Sequence, residues 1–338
     1  MGFLKKNIYL CISVLFFICK TMAAPLKNMT NLGMTCWCAS AIQALRSVPV
    51  FGAQFLNETT LLGKALLDDE IDAETLKKLY KASRRIISAP QGSPEDPAEF
   101  IVALFDQKKI CCKSFESACT LVKKCSVCGY VRTETNNECM MIIPKIEMCA
   151  SPLQRALDVE FGFRAGPATR IRPESFSAAQ TRDSTTSLGV VPGEKWWKCD
   201  DDVVTTVALT SAAPYLLFYR DRSTLSPGEV PRFDDKHSKE DVDPKDIEAL
   251  LPSVSQTRDL DCEGDCKGQK TSHKVFVGVY EASRALIVHV QCPQNMPLSH
   301  IERTLFASEE EDDEAAFDLV AMVCRVGISH YVCYRRIM

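Results

Sequence analysis

A cysteine at the start of a predicted helix is the residue of this chain best placed to act as a nucleophile. Cys36 follows the sequence NLGMT, and an apolar helical pattern begins near Thr35. The unpaired N–H groups and the dipole at a helix N-terminus stabilise a thiolate there. The amide of Asn31, just upstream, suits hydrogen bonding to an oxyanion. The pattern therefore indicates thiol chemistry, with a buried structural cysteine as the alternative.

The first third of the chain carries the helical patterns that would position this thiol. One helix is predicted over residues 36–56 and a second over residues 73–87. A third, over residues 96–106, starts with Asp and Pro in the places that these residues prefer. The charge run at residues 77–85 falls within the second helix and is interpreted as a solvated face.

From about Tyr130 onward the pattern changes to short strands. Alternating or continuous apolar segments predict strands, the clearest of which are residues 216–219, 274–280, 285–290, 317–324 and 330–334. Two polar stretches, residues 164–194 and 221–244, are predicted to be loops. Helices followed by a mostly antiparallel sheet indicate the α+β class.

Composition excludes some functions and favours others. The chain is 46% hydrophobic and 25% charged, with a net charge of −4. It has no basic excess to neutralise phosphates, which argues against a nucleic-acid binder. Its 17 cysteines are irregularly spaced and odd in number. In a chain long enough to build a core, this favours reduced thiols, a catalytic thiol and a metal site over a disulfide framework.

The N-terminus bears on the compartment. Lys5 and Lys6 precede an apolar run at residues 8–19, and small residues follow up to Ala24. Residues 1–24 are therefore predicted to be a signal peptide or a short membrane anchor, because a spanning helix needs about 20 apolar residues. Translation from Met22 would give a cytosolic product instead. The localisation is left open between the secretory route or membrane and the cytoplasm.

Residues 31–51 resemble the cysteine box of the ubiquitin-specific proteases. The resemblance rests on NLGMTCW and on the spaced residues that follow it, up to PVF at residues 49–51. In that family the cysteine is the nucleophile and the Asn five residues earlier helps to hold the oxyanion. The resemblance implies these roles for Cys36 and Asn31. The chain departs from the family pattern at Cys38 and Ala39.

Two later segments resemble the boxes that supply the base and the acid of this family. FDLVAMV at residues 317–323, with GISHYVCY after it, is similar to the histidine box and implies His330 as general base. KWWKCDDDVV, with APYLLFYR after it, is similar to the aspartate box and implies Asp200 as the orienting acid. Asp201 is the reserve candidate. The other four histidines are expected in loops, except His289, which falls in a predicted core strand.

The resemblance also implies substrate contacts. DPAEF at residues 96–100 is similar to the family segment whose Asp contacts the ubiquitin tail, which makes Asp96 a candidate substrate-binding residue. Tyr331 follows the implied base on the same strand and is a second candidate. The implied partner is ubiquitin or a ubiquitinated protein.

Two cysteine pairs resemble the halves of the zinc knuckle in the fingers of this family. They are CSVCGY, which contains Cys125 and Cys128, and CEGDC, which contains Cys262 and Cys266. Four thiolates suit a structural, tetrahedral Zn²⁺ site. The second pair has three intervening residues where the family usually has two.

The resemblance implies a papain-like cysteine protease with a helical thumb, an antiparallel-sheet palm and zinc-knuckle fingers. The catalytic domain would span residues 25–338. Its thumb would be about 25–123, its fingers about 124–165 and 258–275, and its palm about 190–221 and 276–338. The implied activity is hydrolysis of the bond after the C-terminal glycine of ubiquitin. An inactive ubiquitin-binding or scaffold member and a secreted cysteine endopeptidase are the alternatives.

The order of the boxes differs from the family order of Cys, fingers, His and Asp. Here the aspartate segment lies between the two zinc half-sites, so the chain order is Cys36, Asp200, His330. Triads are defined by geometry and occur in several chain orders. The flanking loops, at about 3.3 Å per extended residue, are long enough to bring this segment beside the His330 strand. A decayed chain in which no triad assembles is the alternative.

Overall fold

The computed structural model describes residues 25–48, 51, 60–90, 92–107, 114–143, 194–221, 256–281, 284–291, 295–298, 301, 304–305 and 317–337. The predicted leader at residues 1–24 lies outside these residues, and so does nearly all of the two predicted loops. Within the described part of the chain, no helix is long and apolar enough to cross a membrane.

Four helices occur in the described residues: α1 (Cys36–Leu45), α2 (Leu61–Leu67), α3 (Ala73–Ile86) and α4 (Pro97–Gln107). The last three begin at the side chains of Thr60, Asp72 and Asp96, each of which accepts hydrogen bonds from backbone N–H groups of the first turn. The residue before α1, Thr35, makes no such side-chain cap. The side chain of Thr35 therefore leaves the first N–H groups of α1, where Cys36 lies, without a cap.

Helix α1 is shorter than predicted because the chain turns after Leu45. All of its residues are buried, including the polar Ser40 and Gln43. Arg46 follows, fully buried, and donates to the carbonyl oxygen of Leu66 at the end of α2 at 2.9 Å. This hydrogen bond joins α1 to α2. The remainder of the predicted helix, apart from residues 46–48 and 51, lies outside the described residues.

Helix α3 confirms the second predicted helix but corrects the interpretation of its charge run. Its buried stripe contains Leu76, Tyr80 and Arg84 among other residues, whereas the neighbouring Arg85 is exposed. Arg84 lies four residues after Tyr80 and eight after Leu76, so it falls on the buried face of a 3.6-residue period. The prediction of a solvated face is therefore wrong for Arg84.

The strands, in chain order, are β1 (Ser117–Cys125), β2 (Val131–Glu138), β3 (Met141–Ile143), β4 (Lys195–Asp200), β5 (Val203–Ala208), β6 (Ser211–Ala212), β7 (Pro214–Asp221), β8 (Gln256–Asp261), β9 (Lys270–Glu281), β10 (Ala285–Val290), β11 (Met296–Pro297), β12 (Thr304–Leu305), β13 (Phe317–Val326) and β14 (His330–Arg336). One sheet runs β3-β10-β7-β13-β14-β4-β5, with β12 beside β13. It is antiparallel except where β3 pairs with β10. The predicted organisation of helices first and mostly antiparallel strands after them is confirmed.

A second, four-stranded sheet runs β2-β1-β9-β8 and is antiparallel throughout. Its first strand begins at Ser117, well before the predicted onset of strands near Tyr130. The expected boundary between thumb and fingers, near residue 123, therefore falls inside β1. Both cysteine pairs lie in this part of the fold, at the ends of β1 and β8.

Helix α1 packs against β14, β13 and β4 on one side and against α4 and α2 on the other. The indole of Trp37, which is fully buried, meets the ring of Phe100 edge-on at a centroid distance of 5.3 Å. Buried aromatic side chains of this size contribute about 3–5 kcal/mol each relative to alanine. This packing fixes the N-terminus of α1, and so Cys36, against the ends of the central strands.

Candidate active site

The loop before Cys36 is held in an uncommon conformation. Gly33 has a φ of 95° and Met34, which is not glycine, has a φ of 51°. The side-chain oxygen of Asn31 accepts hydrogen bonds from the backbone N–H groups of Gly33 at 3.1 Å and Thr35 at 3.0 Å. It also accepts from the Thr35 hydroxyl at 3.1 Å. Left-handed backbone at a non-glycine residue persists only where its surroundings fix it, and such positions cluster at functional sites.

Cys36 is 4% exposed, and its thiol donates to the backbone carbonyl of Ser329 at 3.6 Å. Ser329 directly precedes His330, so the thiol meets the chain beside the predicted base. Burial raises the pKa of the Cys36 thiol. Backbone N–H groups, that of Tyr331 foremost, act in the opposite direction, and the negative charge of Asp201 raises the pKa further.

His330 and Asp200 form a close pair. His330 Nε2 lies 2.8 Å from Asp200 Oδ1, and Lys198 Nζ lies 2.8 Å from Asp200 Oδ2. Burial raises the pKa of Asp200, but its hydrogen bonds with Lys198 and His330 outweigh burial and hold the pKa below its usual value. A carboxylate on Nε2 fixes the ring and leaves Nδ1 as the nitrogen that can exchange a proton with a nucleophile.

The sheet brings this pair together across 130 residues of chain. Strand β4 pairs antiparallel with β14, with Cys199 opposite Cys333. Asp200 is the last residue of β4 and His330 the first of β14, so both side chains stand at the same end of adjacent strands. The chain order Cys, Asp, His thus does not separate the three residues in space.

Asp201 lies beside the pair and contacts the loop before Cys36. It has a φ of 53°, and its Oδ2 accepts from the Asn31 side-chain amide at 3.1 Å. Side-chain atoms of Asp200, Asp201 and His330 lie within 4.8 Å of one another. Burial raises the pKa of Asp201, while the hydrogen bond from Asn31 and the charge of His330 lower it. Asn31 thus joins the loop before Cys36 to the turn after β4.

Replacing Asp201 by Asn is expected to lower the pKa of the Cys36 thiol. The charge of Asp201 disfavours the thiolate, and removing that charge removes the penalty. An Asn side chain keeps an oxygen for the amide of Asn31 and tolerates the left-handed φ. Because the thiolate is the reactive form, the pH dependence of Cys36 alkylation by iodoacetamide should move to lower pH. No movement, or movement to higher pH, would contradict this; the exposed neighbour Asp202→Asn is the control.

The predicted substrate-binding residues lie in a small aromatic cluster. Asp96 Oδ1 accepts from the N–H groups of the first turn of α4, and its Oδ2 accepts from the Tyr215 hydroxyl. The Tyr215 ring packs against the rings of Tyr331 and His289, at centroid distances of 5.5 Å and 4.7 Å. Both carboxylate oxygens of Asp96 therefore have partners within the chain. The sequence predicted the helix cap but not the hydrogen bond from Tyr215.

The four predicted zinc ligands come together in the four-stranded sheet. The sulfurs of Cys125, Cys128, Cys262 and Cys266 all lie within 4.8 Å of one another. Those of Cys128 and Cys262 are 3.6 Å apart. A tetrahedral Zn²⁺ with bonds of about 2.3 Å spaces its sulfur ligands about 3.8 Å apart, so the cluster is compatible with a structural zinc site.

Backbone turns around the cluster aim N–H groups at its sulfurs. The N–H of Cys128 is the main cause that lowers the pKa of the Cys125 thiol to about 6, and the N–H of Gly264 donates to Cys262 Sγ at 3.3 Å. Within CEGDC, the chain passes close to Tyr130 at Gly264. A Cβ at Gly264 would lie 2.4 Å from the Cβ of Tyr130, so only glycine fits there.

Three residues of these sites were not predicted from the sequence: Lys198, Arg84 and Tyr215. Lys198 was recoverable, because the two-residue period of a strand puts it on the same face as Asp200. Arg84 was recoverable from the helical stripe of α3. Tyr215 was not, because its contact with Asp96 joins two distant segments. His273, expected in a loop, is instead buried in β9.

No protein-family model and no curated protein matches the chain. Solved structures that are similar to it include two of one protein module. The SAGA Ubp8/Sgf11/Sus1/Sgf73 DUB module bound to ubiquitin aldehyde is 14% identical over 92% of this chain, with a TM-score of 0.45. The same module with an alanine-substituted Ubp8, bound to monoubiquitin, is 12% identical over 93%, with a TM-score of 0.41. The chain spans 61% and 64% of the lengths of the matched chains.

Proposed function

We propose that this protein is a thiol-dependent deubiquitinase with Cys36 as nucleophile, His330 as general base and Asp200 as orienting acid. One observation carries the proposal. The His330–Asp200 pair, with Nε2 on the carboxylate at 2.8 Å, stands where the thiol of Cys36 contacts the carbonyl of the preceding residue, Ser329. A nucleophile, a base and a group that orients the base are the parts that acyl transfer requires.

The mechanism follows from these contacts. The thiol hydrogen turns from the Ser329 carbonyl to Nδ1 of His330, and the resulting imidazolium is stabilised by Asp200. The thiolate attacks the carbonyl carbon of the C-terminal glycine of ubiquitin. His330 then gives its proton to the leaving amine, and a thioester remains on Cys36. Water, deprotonated by His330, hydrolyses the thioester and releases the free carboxyl group.

The oxyanion of the tetrahedral intermediate would be bound at the start of α1. The backbone N–H of Cys36 lies at a helix end that no side chain caps. The Asn31 amide nitrogen donates one hydrogen to Asp201 and has a second hydrogen for the oxyanion. In this arrangement Asp201 orients the oxyanion donor, while Asp200 orients the base.

Ubiquitin as the substrate rests on the sequence boxes around Cys36, His330 and Asp200. Asp96 and Tyr331, in the cluster with Tyr215, would contact the extended ubiquitin tail between α4 and the large sheet. The four-cysteine cluster would hold Zn²⁺ through Cys125, Cys128, Cys262 and Cys266 as a structural ion in the fingers. When bound there, the ion would cross-link the ends of β1 and β8 and would take no part in catalysis.

Ubiquitin carrying a C-terminal alkyne electrophile tests the proposal. The full chain should gain the mass of one ubiquitin, and peptide mass spectrometry should map the adduct to Cys36. Cys36→Ala should abolish the adduct and keep ubiquitin binding, measured by calorimetry.

Three other outcomes would contradict the proposal, and each would indicate a different alternative. A folded wild-type chain that binds ubiquitin without forming an adduct would be an inactive ubiquitin-binding protein. Cleavage of unstructured peptides without any ubiquitin adduct would indicate a general endopeptidase. An adduct mapped to another of the 17 cysteines would remove Cys36 as the nucleophile.

A further inference from the structure

Arg84 is a buried cation that the proposed chemistry does not use. It is 9% exposed, on the inner face of α3, and its guanidinium carbon lies 5.8 Å from the centre of the Trp37 ring. A buried arginine must place its N–H groups on acceptors, because an unpaired charge away from water is strongly destabilising. Among the described residues, the acceptors of Arg84 are oxygens of two loops, the one before Cys36 and the one before Asp96.

One nitrogen of the guanidinium binds the loop just before Cys36. Arg84 Nη2 donates to the carbonyl oxygens of Gly33 and Met34, each at 3.1 Å. The other terminal nitrogen, Nη1, donates to the carbonyl oxygens of Pro90 at 2.7 Å and Ser93 at 3.2 Å, in the loop that leads to Asp96 and α4. The planar group therefore joins the segment before Cys36 to the segment before the substrate-binding candidate Asp96.

The two carbonyl groups that Arg84 Nη2 binds belong to the two left-handed residues of the loop just before Cys36. Gly33 and Met34 have φ values of 95° and 51°. The Met34 carbonyl also accepts from the indole N–H of Trp37 at 2.8 Å. A left-handed conformation at Met34 is unfavourable by itself, so it persists only where other contacts hold it. The donors that bind the Met34 carbonyl therefore fix the orientation of the peptide groups just before α1. The peptide of the Met34 carbonyl carries the N–H of Thr35, which donates to Asn31 Oδ1. The N–H groups of Cys36 and Trp37, which stabilise the thiolate, follow directly at the start of α1.

We propose that Arg84 is a positioning residue of the nucleophile: it locks the Gly33–Met34 peptides so that the start of α1 presents Cys36 and its neighbouring N–H groups in the reactive geometry. The inference deepens the proposed function and rests on it for the nature of the reaction. The predicted effect on the thiol pKa does not depend on the proposed function, because that pKa is measurable without ubiquitin. Lysine cannot replace this arginine fully, because an ammonium group lacks the rigid fork that reaches both loops.

The test compares Arg84→Met, Arg84→Lys and the exposed control Arg85→Met. Arg84→Met keeps an apolar stem and removes the fork. We expect it to slow adduct formation with the ubiquitin electrophile by about 100-fold, the cost of displacing a reacting group by about 1 Å. Arg84→Lys should recover part of the rate, and Arg85→Met should match wild type. Ubiquitin affinity, measured for each variant combined with Cys36→Ala, should change by less than about threefold, because the loss lies in reactivity.

A second readout does not need ubiquitin. The rate of Cys36 alkylation by iodoacetamide is followed against pH in the tryptic peptide of residues 28–46, which also contains Cys38. Cys38 is fully buried, and burial raises its pKa to about 12, so it is an internal control that should stay unmodified while the protein is folded. Arg84→Met should shift the Cys36 profile to higher pH, because the N–H groups of Cys36 and Trp37 at the start of α1, which help to stabilise the thiolate, lose their alignment.

The outcomes separate the two proposals. A wild-type chain without ubiquitin reactivity defeats the proposed function, while a shifted alkylation profile in Arg84→Met still supports the positioning role. An unchanged profile in a folded Arg84→Met variant overturns the positioning role, whatever its thermal stability. Modification of Cys38 would show that the variant has unfolded, in which case the Arg84→Lys profile decides: a wild-type profile there refutes the inference.

Discussion

Replacing Asp200 by alanine is expected to lower kcat/KM for hydrolysis of a ubiquitin C-terminal amide by about 10³-fold, within the 10²–10⁴ range that a positioned general base contributes. The carboxylate is the partner of His330 Nε2 at 2.8 Å, and the imidazole loses its fixed orientation without it. The loss should fall mainly on kcat, because Asp200 contacts His330, the proposed base, and is not among the residues proposed to bind the ubiquitin tail. Steady-state kinetics over a range of ubiquitin-amide concentrations measures the two constants.

The acidic run provides the matched controls. Asp202→Ala removes an exposed carboxylate two positions away and should leave kcat/KM within about twofold of wild type. Asp201→Ala should have an intermediate effect, because it frees the Asn31 amide without touching the His330–Asp200 contact. A large loss in Asp201→Ala with near-normal activity in Asp200→Ala would show that Asp201 is the orienting acid.

Removal of zinc is expected to disrupt the four-stranded sheet. Structural Zn²⁺ binds four thiolates with an apparent free energy of about 10–16 kcal/mol, which equals or exceeds the whole stability of a typical domain. The four cysteines of the cluster lie at the ends of β1 and β8, so removal of the proposed ion should loosen both strands from β9. The purified chain should contain one zinc per molecule by elemental analysis. Chelation should lower the melting temperature and expose the sheet to hydrogen exchange.

Cysteine variants give this prediction its control. Cys128→Ser and Cys266→Ser each remove one ligand of the cluster and should lower both the zinc content and the melting temperature. Cys139→Ser removes a half-buried thiol outside the cluster and should retain zinc. Because the ligands bind as thiolates, the zinc content should also fall as the pH is lowered. A chain that keeps its melting temperature after complete chelation would contradict a structural role for the ion.

The amino-acid sequence by itself determined the local features of this protein. The order NLGMTC put Cys36 at a helix start, and the Asp at position 96 marked the beginning of α4. Apolar alternation marked the strands on which His330 and the Tyr215 segment lie. Each of these depends on neighbours within a few residues, where backbone geometry and side-chain periodicity act directly. The cysteine pairs indicated a zinc site only through their resemblance to the zinc knuckle of the ubiquitin-specific proteases, not through their spacing alone.

Only the tertiary structure decided how those features meet. The Asp200–His330 contact depends on the pairing of β4 with β14, and the register of distant strands leaves no local mark in the sequence. The burial of Arg84 depends on two loops that offer it carbonyl oxygens. A side chain predicted to be solvated therefore joins two loops inside the protein. Asp96 acquired Tyr215 in the same way. These contacts join residues far apart in the chain. They form only when the sheet and the helices have packed together, so no local sequence pattern predicts them.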